Sequence, residues 1–221
     1  MNNPILQLLV LAGIAVFLIL RLKSVLGTRA GYERPRVENS RSPDSEKRRS
    51  DFAVIEGGPD HDITDHAEEG SETAQALAKM KRIEPSFSVA EFLQGARGAY
   101  EMILMGFERG QMDEIKPFLS DDIYEAFSEV VEAREQQGLT IEADFIGLRE
   151  LALDSATFDD TTQEAEVSVR FVGELTSVVR DSNGEIVEGK PNEIKRQRDT
   201  WTFARQMGSD NPNWQLVATG E

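Results

Sequence analysis

No cysteine occurs anywhere in the 221 residues, so the chain has neither a disulfide framework nor thiolate chemistry. An exported fold would have to do without covalent staples, and the absence permits a reducing compartment. Histidine is nearly as scarce. Its two copies, His61 and His66, both lie in a polar stretch ahead of the patterned part of the chain. No Ser/His/Asp or Cys/His arrangement can therefore be built inside the patterned part. No phosphate-cradling glycine loop is present; "GGPDH" matches no nucleotide pattern. Positive charge is in deficit, with 24 Lys and Arg against 40 Asp and Glu, net −16. An acidic chain repels nucleic-acid backbones and anionic head groups, so nucleic acid is not an expected partner. Nothing in the motifs calls for a cofactor. The excess acid acts as a solvated surface and also favours basic partner segments.

What the chain does have comes first in "NNPILQLLVLAGIAVFLILRLKSVLGTR". From Ile5 to Leu20 only Gln7 is strongly polar. With Arg21 and Lys23 snorkelling at its edge, the run approaches the roughly 20 residues that cross ~30 Å of hydrocarbon. A secretory signal places its cations before the apolar run and a small-x-small site after it. Here the cations follow, and "RLKSVLG" offers no such site. Residues 1–27 are thus expected to form an uncleaved single-pass anchor. Its trailing cations are expected to hold the remainder on the cytoplasmic side of the membrane. A cleaved signal and a buried core helix are the alternatives; the second conflicts with a run that is apolar on every face.

Residues 28–72 are expected to be a disordered polar linker, too poor in apolar side chains to offset their ordering entropy. As a coil it would span roughly 35–40 Å. Its one apolar island, Phe52–Ile55, reads as a transient cluster or a short docking motif. His61 and His66 stand beside Asp60, Asp62 and Asp65, a conceivable but weak metal set.

From Thr73 the pattern becomes helical. "TAQALAKMKRIEP" reads as a short helix stopped by Pro85, followed by a long one from Ser88, whose spacing to Glu91 fits a capping box. Val89, Phe92, Leu93, Ala96, Ala99, Tyr100, Ile103, Leu104 and Phe107 repeat on one face, and Gly110 supplies the stop. Gly95, Ala96, Gly98 and Ala99 suggest close approach of a neighbouring element. A short helix breaks at Pro117, and a third runs from Ser120 to Gly138 with Ile123, Phe127, Val130 and Val131 inward. After Gly138 the period switches to two. A strand with a bulge expected at Gly147, a second strand, a type I′ turn at Asn183-Gly184, a third strand and a closing "WQLVATG" strand follow. Residues 73–221 are expected to form an α+β domain, helices first, on a four-stranded antiparallel meander. Residues 87–221, the greater part of this segment, hold nearly all the excess acid, with 12 basic and 27 acidic side chains.

"FLQGARGAYEMILMGFERGQMDEIKPFLSDDIYEAF" and "DTWTFARQMGSDNPNWQLVATGE" resemble the domain family of the mitochondrial import inner membrane translocase subunit forty-four and its alphaproteobacterial relatives. The likeness rests on Phe92-Leu93-Gln94-Gly95-Ala96-Arg97, on Tyr124 and Phe127, and on Trp201, Phe203, Asn213, Trp214, Leu216 and Thr219. It implies a curved, cone-like sheet wrapped by helices, of the nuclear-transport-factor-two-like (cystatin-like) kind, with a large apolar cavity. It also implies a membrane-associated adaptor in protein translocation or membrane-protein assembly. On that footing the expected partners are subunits of such machinery. The alternative function is a tethered binder of a lipid or other apolar small molecule.

The candidate pocket residues are Tyr100, Ile103, Leu104, Phe107, Tyr124, Phe127, Phe171, Trp201, Phe203 and Trp214, which serve equally as core. Met102, Met105 and Met112 suit an adaptable apolar lining or ordinary filling. An enzyme is not expected. If there were catalysis, the cone-like fold the resemblance implies would set an inward acid at its pocket, with Asp144, Glu150 and Asp199 to inspect and an outward strand position the alternative for each, while Asp121-Asp122 and Asp159-Asp160 read as a helix start and a turn. "KRQR" at 195–198 is a basic cluster within an acidic domain, with Arg196 and Arg198 on one strand face, suited to an acidic partner, a lipid phosphate or plain solvation.

Overall fold

The computed structural model describes residues 60–220. The expected anchor, with Ile5, Leu20, Arg21 and Lys23, lies outside them, as do residues 28–59. Among the described residues no helix is long and apolar enough to cross a membrane.

Among the described residues, helical structure already occurs ahead of Thr73, within the expected linker. A single turn, α1 (His61–Thr64), starts under an Asp60 side-chain cap and buries Ile63. Asp62 then reaches across to the next long helix. Its carboxylate accepts from the Val89 and Ala90 amides at 2.8 and 3.0 Å and from the Ser88 hydroxyl at 3.1 Å. Lys81 pairs with it at 2.7 Å. Composition hid this because the anchoring side chain is an acid: it binds orphan amides at a helix start, which hydropathy does not register.

Helix α2 (Glu72–Ile83) is capped by Ser71 and buries Leu77 and Met80 completely. Helix α3 (Val89–Glu108) starts at Ser88, whose hydroxyl accepts from the Glu91 amide at 3.3 Å. Its buried face follows the expected spacing, and Gly110 closes it at φ +72°. The close approach expected at Gly95 and Gly98 is absent: both are exposed and a Cβ there would meet nothing. It occurs at Gly106 instead, where a Cβ would overlap the buried Ile115 side chain. Ile115 ends α4 (Met112–Ile115), and a 3-10 turn through Pro117 leads to α5 (Asp121–Gln136), capped by Ser120. Phe127 and Val131 of α5 are buried, while Ile123 and Val130 are only partly covered.

The sheet is antiparallel and open, an α+β arrangement. Strands β1 (Thr140–Phe158), β2 (Glu164–Arg180), β3 (Ile186–Glu188), β4 (Ile194–Gln206) and β5 (Gln215–Gly220) order as β1-β2-β4-β5, with β3 also on β2. Five strands replace the expected four because the third is interrupted. Residues 189–193 leave the sheet between β3 and β4, and Gly189 at φ +81° passes so near Ser177 that a side chain has no room. The turn at 181–185 is not type I′ either. Only Gly184 has positive φ, and the Asp181 carboxylate accepts from the Asn183 and Glu185 amides at 2.9 and 3.0 Å, holding the loop by a side chain. Register shifts at Phe145/Gly147, Leu148/Glu150 and Leu153/Ser155 break β1 into bulged segments, the device that bends a long strand.

Alternation sorts the two faces. Ala165, Val167, Val169, Phe171 and Leu175 of β2 point inward with Trp201 and Phe203 of β4, beneath the helices. Arg170, Glu174, Arg196 and Arg198 occupy the other face.

Candidate functional site

The core is organised around Tyr100. Its ring stacks on Phe171 at 4.4 Å and 14°, lies 4.7 Å from Trp201, and meets Phe145 edge-on at 6.1 Å. The fit depends on Gly173, since a Cβ there would sit 2.9 Å from the phenolic oxygen. That oxygen donates to Asp199 Oδ2 at 2.6 Å, and Gln197 Nε2 donates to Asp199 Oδ1 at 3.1 Å. Burial, then the hydrogen bond to Asp199 and its charge, push the Tyr100 phenol well above its ordinary range. It stays a neutral donor at any physiological pH.

Of the three acids singled out for inspection, Asp199 alone points inward. Asp144 and Glu150 do not: their side chains are 87% and 51% exposed and face Arg109 and Arg170. The other acid pairs are structural. Asp121 and Asp122 open α5, and Asp159 accepts from the Thr161 and Thr162 amides in the β1–β2 turn. Among the described residues no cluster of His, Asp and Glu could hold a metal. Asp60 and Asp62 instead flank Lys81.

The ten pocket candidates fall into three packed groups. Tyr100, Phe171 and Trp201 form the first, with Ile103 and Leu104 buried on the same helix face. Phe203 meets Phe92, which packs edge-on against Trp214 at 4.7 Å. Arg205 covers Trp214 at 5.2 Å and pairs with Glu84 at 2.6 Å. Phe107 packs on Phe127 at 4.5 Å and lies under Arg134, while Tyr124 sits under Lys116. All ten belong to or pack against one core.

A cleft of about 330 Å³ opens elsewhere, between α3, α4 and β1, and none of the ten lines it. Met102, Met105, Ile115 and Phe145 make its apolar floor; Glu101, Glu114, Asp144 and Arg109 make a polar rim. Met105 thus combines core filling with cleft lining, whereas Met112 is buried. Sequence spacing had no means of finding this cleft, because it depends on how α4 leans on Gly106.

Charge is handled in pairs. At the far end of α3, burial raises the Glu108 carboxyl against the pull of Arg134 and Lys195. On the outer sheet face Glu174 is clamped by Arg149 at 2.9 Å and Arg196 at 3.0 Å, which hold its carboxyl below the usual range. Helix α5 turns Asp121, Asp122, Glu125, Glu129, Glu132 and Glu135 to solvent.

Fold and site define an α+β domain with helices on one face of an open antiparallel sheet, an aromatic core and a charged exterior. Residues 73–221 match the Tim44-like domain model, and the chain belongs to that family. Human mitochondrial import inner membrane translocase subunit TIM44 is 24% identical over 150 residues, and the mouse protein 22%. Each alignment covers 66% of this chain but only 33% of the relative, so the chain matches about a third of those proteins' length. Among solved structures, the intermembrane space region of the chloroplast protein ARC6 is similar at TM-score 0.38 and 14% identity, over 59% of this chain and 92% of that one.

Proposed function

We propose that this chain is a membrane-anchored adaptor without catalytic activity. The apolar run at 5–20 would hold it in an inner membrane with the domain on the cytoplasmic side. The Tim44-like domain would dock proteins engaged in translocation or membrane-protein assembly. Membership of a family whose named relatives are translocase subunits supports this role. In the same reading the bulged sheet and its helices form a nuclear-transport-factor-two-like cone.

The observation that carries the proposal over a small-molecule reading is the packing of the ten candidate pocket side chains. They are engaged with one another and with neighbouring core residues, and the cleft is rimmed by charge. A surface of that kind suits protein contact better than storage of an acyl chain. Crosslinking of the full chain in its own membranes tests it. Capture of translocase or membrane-assembly subunits is the expected result; recovery of lipid alone, reproducibly retained by the purified protein, would replace the adaptor with an apolar-ligand carrier. A reporter fused after Gly220 checks the topology, and activity on the outer side overturns the cytoplasmic placement.

A further inference from the structure

Strand β4 is paired unequally on its two sides. Against β2 it is matched along its whole length, from Ile194 to Gln206. Against β5 it is matched only from Thr200 to Ala204. The six residues from Ile194 to Asp199 therefore present an edge with no strand beside it among the described residues. Short β3 lies on the same side of β2 and has no outer partner among the described residues either. Alternate residues of such an edge aim N–H and C=O groups outward, a template for one more strand.

The side chains at this edge are unlike the rest of the domain. Lys195, Arg196 and Arg198 stand here against Glu188 and Asp199, while residues 87–221 as a whole hold 27 acids against 12 bases; Lys195 alternates to the inner face toward Glu108, which leaves Arg196 and Arg198 on the outer one. Arg196 is already held by Glu174. Arg198 is exposed, with no ion pair among the described residues. Register places Ile194 opposite Thr176 and Ile186 opposite Arg180, so both lie on the outer face with Arg196 and Arg198. Ile194 is 56% exposed and Ile186 39%. Charges on an open edge also discourage aggregation, but exposed isoleucines beside them are not what a blunted edge carries.

We infer that this edge of β4 receives an extended acidic segment of a partner protein, added as a further antiparallel strand. The proposal deepens the adaptor reading and rests on it. Main-chain pairing supplies the fit, the cations select acidic side chains, and Ile186 and Ile194 take apolar ones. A second copy fits less well: pairing the edge with itself about its midpoint sets each copy's Lys195 opposite the other's Arg198. Anionic lipid satisfies the cations but not the ladder.

The test uses the purified full chain in nanodiscs and a short Val/Glu peptide with Thr at every second position and Glu, Glu and Val between, so that acid and valine share one face, with a Val/Lys peptide of the same pattern as control. Amide hydrogen exchange is read by mass spectrometry. The Val/Glu peptide is expected to slow exchange in β4 ahead of Thr200, and the control is not. Arg198→Glu weakens the effect about tenfold, Arg198→Lys retains it, and neither moves the unfolding midpoint. Equal protection by both peptides, or by neither, overturns the proposal. So does protection by anionic vesicles alone, which assigns the edge to lipid, or protection that grows with protein concentration without peptide, which assigns it to a second copy. A photo-crosslinking residue at Ile194, compared with one at exposed Glu129, separates this from the adaptor reading. Partners caught only from Glu129 remove the edge and leave the adaptor; partners caught from no surface position remove the adaptor itself.

Discussion

Tyr100 of α3 donates its hydroxyl to Asp199 of β4 across 2.6 Å while its ring stacks on Phe171 of β2. One side chain thus ties α3 to two strands, by dispersion through the ring and by a charge-assisted hydrogen bond through the oxygen. Tyr100→Phe keeps the ring and removes the bond, so it is expected to destabilise by about 1–3 kcal/mol. Tyr100→Ala also empties the ring's place and costs about 3–5 kcal/mol. Urea denaturation of both variants separates the contributions; a neutral Tyr100→Phe would mean the hydroxyl only avoids a penalty and adds nothing.

The link between Asp62 and the start of α3 gives a pH signature. Burial works to raise this carboxyl, yet Lys81, the Ala90 and Val89 amides and the Ser88 hydroxyl hold it at about 2, against an ordinary 3.8. A depressed carboxylate contributes stability that is complete above its unfolded value and fades as pH falls toward the folded one. The domain is therefore expected to lose about 1 kcal/mol from this group, solvent screening included, between pH ~4 and ~2. Asp62→Asn should flatten that limb of the stability curve. If the wild-type and variant curves stay parallel through this window, Asp62 does not carry the effect.

Arg205 joins α2 to the closing strands. Its side chain is 7% exposed, covers Trp214, and bonds Glu84 at 2.6 Å; Glu84 also accepts from the Gly208 amide at 3.3 Å. The Arg205 bond is the main reason the Glu84 carboxyl sits below its usual range, with burial opposing it. Arg205→Met preserves much of the stem's contact with Trp214 and removes the charge. A loss of about 1–3 kcal/mol is expected, with the Glu84 carboxyl rising, both measurable by denaturation and by carboxyl NMR titration. Arg205→Lys should recover only part of it, because an ammonium cannot cover the indole and bond Glu84 in the same planar geometry.

These contacts show what a linear reading can reach. The helix starts at Ser88 and Ser120, the stops at Gly110 and Gly138, and the buried face of α3 all follow from spacing, because caps and periodicity act within a few residues. Strand position left Asp199 open to either face, and its partner lay beyond the reach of spacing, since Tyr100 is 99 residues away. Close approach was assigned to Gly95 and Gly98 from composition, whereas the glycines that need to be small are Gly106 and Gly173. Whether a glycine is crowded depends on what the fold lays against it. Residues 60–72 read as linker for a related reason: Asp62 and the lone buried Ile63 hold α1, and one isoleucine among acids leaves the mean hydropathy of the stretch low.

The interruption between β3 and β4 offers a test of backbone strain against steric exclusion. Gly184 and Gly189 have nearly the same positive φ, +82° and +81°. Around Gly184 a Cβ meets nothing, whereas at Gly189 it would lie 2.4 Å from the Ser177 carbonyl oxygen and 3.2 Å from the Val178 Cα. Gly184→Ala therefore incurs only the left-handed conformational cost, about 1 kcal/mol. Gly189→Ala adds a clash with backbone that cannot rotate away, so it should cost at least a further ~1–3 kcal/mol and release the pairing of β3 with Val179 and Arg180. Equilibrium unfolding ranks the two, and hydrogen exchange at Val187 and Glu188 locates the loss. Equal destabilisation would show that the segment 189–193 yields around an added methyl, and that the break between β3 and β4 is set by the turn at Asp181 and not by the passage of Gly189 over Ser177.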